Sequence, residues 1–541
     1  GYYRTININN TIWNQDLVLN WNKDFSEKFG MSALLGANSR YDSYIQSGVA
    51  SQGQLAFGLF RHSNFSNSSS NDAYSGGSMN STSEERRYGV YTNITLDYSD
   101  YLFLNLSARN DWTSTVEAEN RSILYPGGSV SFIPTTAFNW NSPVVNDLKL
   151  RLGYGTSAGY PRPYSTRNVL AQSARAFDRD GVVTTTHAVS NFLGNPNLRP
   201  ELHGELEFGV EGVMFNNKLR FDISLYDKST RDLITQSPID PATGFTSTAI
   251  NIGKIRTRGA EFQATVTPIS TASGFEWNST INWSTYETEV VELGGGLEEV
   301  VVAGFTDLGN FAVPGQPFNV IKGIGFEKDP ATGQPIMLSN GTHKPTTEPV
   351  ILGDPNPEWT GSFINSFTYK GFTLSAMMEY RHKGIIFSNT VTATLARGVT
   401  KDPVADREMT FIMPGVRQDG TNADGTPRYI PNDYQISASD YFFGGYHLGP
   451  DEANVFDGST VRLRELSLAY SLPNTLMAKT PFKRASLAVS GTNLWFVALN
   501  FPPNMNFDTD VLGTGVGNGL GFDFVTGPSS KRLGGTLTLT F

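Results

Sequence analysis

The strongest constraint on this chain is a period of two held over segments longer than ordinary sheet strands. Lys218-Leu219-Arg220-Phe221-Asp222-Ile223-Ser224-Leu225-Tyr226 sends Leu219, Phe221, Ile223 and Leu225 to one face and Lys218, Arg220, Asp222 and Ser224 to the other. Glu205-Leu206-Glu207-Phe208-Gly209-Val210-Glu211 and Leu148-Lys149-Leu150-Arg151-Leu152-Gly153-Tyr154 repeat the pattern. Successive side chains of a strand point to opposite faces, so each segment has one apolar and one polar face. A buried parallel sheet is apolar on both faces, which these segments are not. Many of the runs reach about 10–12 residues, against a globular mode of about 5–6. That length matches the roughly 9–11 tilted residues with which a strand crosses a bilayer.

The connections sort by length. Short ones fall at 98–101, Asn216-Asn217, 268–274 and Lys370-Gly371, with intermediate ones at 23–30, 134–147 and 472–483. Between them lie long polar stretches near 42–84, 113–127, 158–203, 228–250, 288–358, 383–458 and 495–530. Long and short alternate strictly. In an antiparallel barrel successive turns lie on opposite membrane sides, so this alternation places the long loops outside and the short turns in the periplasm. Tyr98 and Tyr101 flank one short turn, and Tyr369 and Phe372 another. Rings at strand ends suit a membrane interface, although Tyr and Phe also favour strands for other reasons. The last segment, Lys531 to Phe541, alternates again and ends on Phe541, which resembles the signal read by the barrel-assembly machinery.

The pattern predicts about 15 strands, near 15–22, 31–41, 85–97, 102–112, 128–133, 148–157, 204–214, 218–227, 253–267, 275–287, 359–369, 372–382, 460–471, 484–494 and 531–541, with residues 2–13 as the end of one more. Val461 and Leu463 share a face, but after Arg464-Glu465 the face passes to Leu466, Leu468 and Tyr470, a phase slip that reads as a β-bulge. Strand-like Thr5-Ile6-Asn7-Ile8 follows Gly1 almost directly. An open strand edge in lipid costs several kcal/mol per unpaired backbone group, so the expectation is that preceding sequence or a second chain completes the barrel.

Composition removes other classes. The chain has 541 residues and no cysteine, so disulfides, thiolate metal sites and cysteine nucleophiles are excluded. Its net charge of −10 is spread without a basic block, which argues against nucleic acid as a partner. Hydrophobic residues reach 39%, and no run approaches the roughly 18 apolar residues of a membrane helix.

Several segments resemble the C-terminal barrel region of SusC/RagA-type TonB-dependent transporters. They are Leu102 through Asp111 and Trp112 to Ser114, Leu148 to Gly155, Asn195-Pro196-Asn197-Leu198-Arg199-Pro200-Glu201, Asn251 to Phe262, Gly353-Asp354-Pro355-Asn356-Pro357-Glu358-Trp359 and Gly458 to Ser467, in the family's order along nearly the whole chain. The resemblance implies an all-β fold, a large antiparallel transmembrane barrel of about 22 strands, of which residues 1–541 form the C-terminal portion. It further implies an outer-membrane location, a plug and a TonB-contacting segment outside this chain, and a SusD-like surface lipoprotein as lid. Partners on this reading are TonB-ExbB-ExbD, the barrel-assembly machinery, outer-membrane lipid and an oligomeric nutrient, glycan or peptide. The alternative is a SusC-like barrel serving as a docking subunit of a larger secretion or assembly complex. A passive porin is a third class.

No catalytic set stands out, and no enzyme is expected. His62, His187, His203, His343, His382 and His447 lie in no metal-ligand spacing, and no nucleophile elbow or phosphate loop is present. Asp419, Asn422 and Asp424 supply oxygen ligands at short spacing for a structural calcium, or else simple turn chemistry. Tyr160, Tyr164, Phe305, Phe311, Tyr441, Phe442, Phe443 and Tyr446 are the aromatic candidates for contact with substrate or lid.

Overall fold

Fifteen long strands carry the architecture of the computed structural model, which describes residues 1–72, 77–179, 182–397, 399, 408–441, 450–501, 505–510 and 519–541. They are β1 Tyr2–Ser26, β2 Phe29–Gln54, β3 Ser81–Tyr98, β4 Leu102–Thr113, β5 Ser122–Phe132, β6 Val145–Gly159, β7 Glu201–Met214, β8 Leu219–Pro238, β9 Ser247–Ser270, β10 Glu276–Glu292, β11 Trp359–Tyr369, β12 Phe372–His382, β13 Val455–Ser471, β14 Arg484–Asn500 and β15 Arg532–Thr540. No helix among the described residues is long and apolar enough to cross a membrane.

The chain divides into two units. The first is Gly1–Phe132, Arg151–Leu206 and Ser229–Lys254; the second is Ile133–Leu150, Glu207–Lys228 and Ile255–Phe541. In the first, β1 to β5 form an antiparallel meander, each strand paired with the next. In the second, β10 to β15 do the same. The connections explain the direct pairing. Tyr369 pairs with Phe372 across Lys370 and Gly371, both at positive φ. Such a two-residue turn twists with its strands, and its second position favours glycine. Ser99 and Asp100 take the same left-handed pair between β3 and β4.

The alternation has its expected outcome on the sheet faces. In the second unit Ile223 and Leu225 are exposed, as are Leu374, Leu466, Leu468, Leu487 and Val489. In the first, Leu35, Leu102, Leu104 and Leu106 are exposed on the matching face. These rows do not pack into a core. Aromatic pairs ring the short turns: Tyr98 on Tyr101, Trp21 on Phe25 and Phe25 on Phe29 in the first unit, Phe372 on Tyr470 and Phe482 on Phe541 in the second.

Several expected boundaries need correction. Residues 2–13 and 15–22 are one strand, β1. Strand β2 runs to Gln54, into the stretch expected as a loop from 42, and β8, β10 and β14 also outlast the expected segments. The expected loops at 113–127 and 228–250 shrink to the residues between Thr113 and Ser122 and between Pro238 and Ser247. Alternation fades where both faces of a strand are polar, while backbone pairing continues without it. The remaining long loops are not plain coil either. In the second unit they hold a four-stranded sheet (Val300–Gly304, Gly309–Ala312, Val320–Gly323, Val350–Gly353), a helix Asn389–Ala396 and smaller hairpins. Two apolar clusters support them, one around Ile386, Val391, Leu395 and Phe501, the other around Ile321, Phe387 and Phe522.

Candidate binding surface on the polar face and the long loops

The polar face of the first unit is organised around Asp111 on β4. Arg109 Nε donates to Asp111 Oδ1 at 2.7 Å, Tyr160 Oη donates to Oδ2 at 2.9 Å, and Tyr125 of β5 donates to the same oxygen. The strand register sets this up, because Arg109 and Asp111 sit two apart on one face and Tyr125 lies opposite Arg109. Gly89 pairs with Asp111, and a Cβ there would meet its Oδ1 at 2.0 Å. A side chain at position 89 would displace the carboxylate from this position. Tyr160, just beyond β6, also lies under the Arg87 guanidinium at 5.3 Å. Burial first, and then the Asp111 charge, push its phenol above the ordinary range. Arg40 with Asp42 and Arg87 with Glu85 extend the row of paired charges onto β2 and β3.

The second unit has a more deeply buried counterpart. Pairing shifts register on both sides of Arg464: Met377 and Met378 of β12 face Glu465 and Leu463, and on β14 the shift falls between Thr492 and Trp495. This is the phase slip expected from sequence, and it sets the face of Arg462. Leu466, Leu468 and Tyr470 occupy the apolar face at even numbers; unbroken alternation would add Arg462 to them. The extra residue instead turns Arg462 to the polar face, opposite Glu379. There it donates to Asp508, which also accepts from Ser529, and it lies 3.4 Å from Asp510. Both side chains of the Arg462–Asp508 pair are 3% exposed. Burial pushes the Asp508 carboxyl up, but Arg462 and Ser529 outweigh it and hold it below the usual carboxylate range. Arg464 bonds Glu379, Asn493 Oδ1 at 2.8 Å and Asp510 at 2.7 Å. Asn493 has φ 52°. Together these groups fasten residues 505–510 to the strand ends.

Asp523 does similar work beside them. It accepts from Ser388 Oγ at 2.7 Å and Thr390 N at 3.0 Å, and so caps the helix Asn389–Ala396. Burial acts on its carboxyl upward, and the bonds from Thr390, Thr526 and Ser388 bring it below the ordinary value.

The aromatic candidates do not gather into one patch. Tyr160 belongs to the Asp111 network. Tyr164, at φ 65°, is exposed beside Glu84, Glu85, Arg86, Ser114 and Pro163 in a shallow groove. Phe305 is exposed, whereas Phe311 is buried against Lys322, and Tyr441 is buried edge-on to Phe411. The last two therefore brace loops rather than offer rings. Phe442, Phe443 and Tyr446 lie outside the described residues. Asp419 lies in the strand 416–421, and Asn422 and Asp424 form the hairpin end between it and 427–431. Asp419 pairs with Arg428 at 2.7 Å, Asp424 accepts from Thr426 N and Oγ1, and Asn422 donates to Thr426. Each has its own partner, and no group of three His, Cys, Asp or Glu among the described residues stands as a metal cage. Sequence reasoning missed Asp111, Arg462, Asp508 and Asp523; the slip at Arg464 was the available signal for one of them.

The family described as TonB dependent receptor-like, beta-barrel matches residues 1–494. The chain belongs to this family. The apolar sheet face is accordingly the lipid side, and the location is the bacterial outer membrane. The family is one of transport proteins, not enzymes. TonB-dependent receptor P26 of Formosa agariphila is 26% identical over 99% of this chain and 54% of its own length. Receptor P3 of the same organism is 25% identical over 79% of this chain and 43% of its own. The chain thus spans about half the length of the curated relatives it matches. Among solved structures, that of the RagAB peptide transporter superposes with a TM-score of 0.72 over 99% of this chain and 56% of that one, at 18% identity. This likeness shows the fold.

Proposed function

We propose that the chain is the C-terminal barrel part of a SusC-like, TonB-dependent importer of an oligomeric nutrient, peptide or glycan, working with a SusD-like surface lipoprotein. The observation that carries the reading is the folded outer-loop assembly of the second unit, clamped through Arg462, Arg464 and Asp508 onto the polar face. A passive pore has no need of loops with their own apolar cores, whereas a receptor that must hold a large ligand needs preorganised walls. The name of the RagAB peptide transporter supports the peptide branch, and glycan remains the other. Plug movement driven by TonB-ExbB-ExbD supplies the release step in parts outside this chain. Phe541, exposed at the end of β15, is the residue assigned to recognition by the barrel-assembly machinery.

The test is purification of the full-length protein from outer membranes without crosslinking, followed by mass spectrometry of the associated proteins and of the extracted small molecules. A stoichiometric lipoprotein together with bound peptides or glycans is expected. Stable recovery with secretion or assembly machinery, and no bound oligomer, would replace import by a docking role.

A further inference from the structure

Three long loops of the second unit meet at one short segment. They join β10 to β11, β12 to β13 and β14 to β15, and the segment is 520–526 of the third. One end of it is held by the first loop. Asn310, fully buried in the four-stranded sheet, treats Leu520 as a neighbouring strand would: its Nδ2 donates to the Leu520 carbonyl at 3.1 Å, and its Oδ1 accepts from Leu520 N at 3.0 Å. The same Nδ2 donates to the Asn319 carbonyl at 2.9 Å. The rest of the segment is held by the second loop. Phe387 N donates to the Gly521 carbonyl at 2.8 Å, and Phe387-Ser388 runs parallel to Phe522-Asp523. Asp523, fully buried, accepts from Ser388 and Thr390 of that loop and from Thr526 of its own. Phe522 shares one apolar cluster with Leu308 and Ile321 of the first loop and Ile385 and Phe387 of the second.

The fit leaves no slack. Gly521 stands at φ 73°, and a Cβ there would meet Pro355 at 2.6 Å, the Ile385 carbonyl at 2.9 Å and Ile321 at 3.0 Å. Both conformation and space therefore call for glycine at this crossing of the three loops. The first two loops are also tied directly: Ile324 N donates to Asp451 at 2.8 Å, Phe326 N to Glu452 at 2.7 Å, and Ile336 pairs with Val416. The energetics follow from burial. A buried amide or carboxylate left without its partner costs more than the bond it made was worth. Asn310 finds its Leu520 partner, and Asp523 its Ser388 and Thr390 partners, on a different loop. Withdrawing any one loop alone orphans a buried polar group and uncovers Phe522 at the same moment. Contacts that can only be lost together define one cooperative unit.

We infer that residues 520–526 are a keystone strap, which makes the three long loops of the second unit a single body that yields all at once or not at all. Seated, the strap fixes the first and second loops against each other through Asn310, Phe522 and Asp523. Lifted, it loosens both. The experiment is native-state hydrogen exchange, read by mass spectrometry on the full-length protein in detergent, with urea kept below the unfolding of the barrel strands. In the unsubstituted protein, 309–323, 385–396 and 520–526 are expected to open with one common urea dependence. The variants Asn310→Ala and Thr526→Ala weaken opposite ends of the strap. Exchange is expected to rise about tenfold or more in N310A, and by a smaller factor in T526A, equally in all three segments. Asp424→Ala, in the hairpin end between 416–421 and 427–431, is the control and raises exchange only there. Faster exchange confined to 309–323 in N310A, or to 520–526 in T526A, overturns the inference. So do separate urea dependences in the unsubstituted protein, a result that stands even if a variant fails to fold.

Discussion

Two arginine–aspartate pairs on the polar face, one in each unit, make an instructive contrast. Arg109–Asp111 joins neighbours two apart on one strand, with side chains 30% and 7% exposed. Arg462–Asp508 joins a strand to a distant loop, and both partners are 3% exposed. The first pair needs no loop to exist; register alone brings it together, and it then recruits Tyr160. The second exists only while the last long loop is folded down, and among the described residues Arg462 Nη1 is buried without a hydrogen bond. A buried pair contributes little net stability but is costly to break one partner at a time. The second unit's charges thus act mainly to hold a loop in one place, and the first unit's to shape a wall.

The contrast breaks most sharply at Arg462. Arg462→Leu leaves Asp508 buried without its cation and costs about 3–5 kcal/mol, read by urea unfolding of the full-length protein in detergent, with residues 505–510 becoming sensitive to protease. The double variant with Asp508→Leu recovers much of the loss; if it is no better than the single change, the pair is not the clamp. The carboxyl of Asp508 is depressed in the folded protein, so its contribution is present above the ordinary carboxylate pKa of about 4 and fades as pH falls below it. Gly89→Ala comes next, at about 1–3 kcal/mol, because overpacking displaces Asp111; its mark is faster cleavage near Tyr160. Tyr160→Phe removes one hydrogen bond and costs about 1 kcal/mol, seen as faster amide exchange at the start of that loop. Glu117→Gln has the smallest effect. Arg167 forks onto Glu117 at 2.7 and 2.6 Å and, with Thr166, lowers its carboxyl to about 2. The tie is complete above the ordinary glutamate value and disappears only as pH falls through about 2, so titration from pH 7 to pH 4 leaves this loop contact unchanged.

Much of the scaffold was legible because lipid imposes a strict rule. Leu219 to Leu225, Leu466 to Tyr470 and the Lys370-Gly371 turn each carry their strand or turn in a few residues, and the slip at Arg464 was visible as a break in the rule. Beyond the lipid the rule lapses. Nothing in residues 42–54 marks β2 as continuing, since pairing to β1 requires only backbone groups there. The loop cores were hidden for another reason: Ile321, Phe387 and Phe522 lie far apart in sequence and meet only in the fold. For the same reason Phe311 and Tyr441 read as available rings, although neighbours distant in sequence bury them. Asp111 and Asp508 were illegible as partners because a carboxylate's role depends on the residues that register or a folded loop brings to it.

The irregularity at Arg464 also has a bearing on how such a chain tolerates insertions and deletions. Within a strand that faces oil on one side and water on the other, gain or loss of a single residue exchanges every side chain beyond it between the two solvents. Length changes between two neighbouring hairpins are therefore safe in even steps, and an odd step survives only where a kink absorbs it. By that arithmetic, removing Arg464 alone would do more than delete one cation. It would turn Arg462 toward the hydrocarbon and carry Leu463 and Val461 onto the polar face.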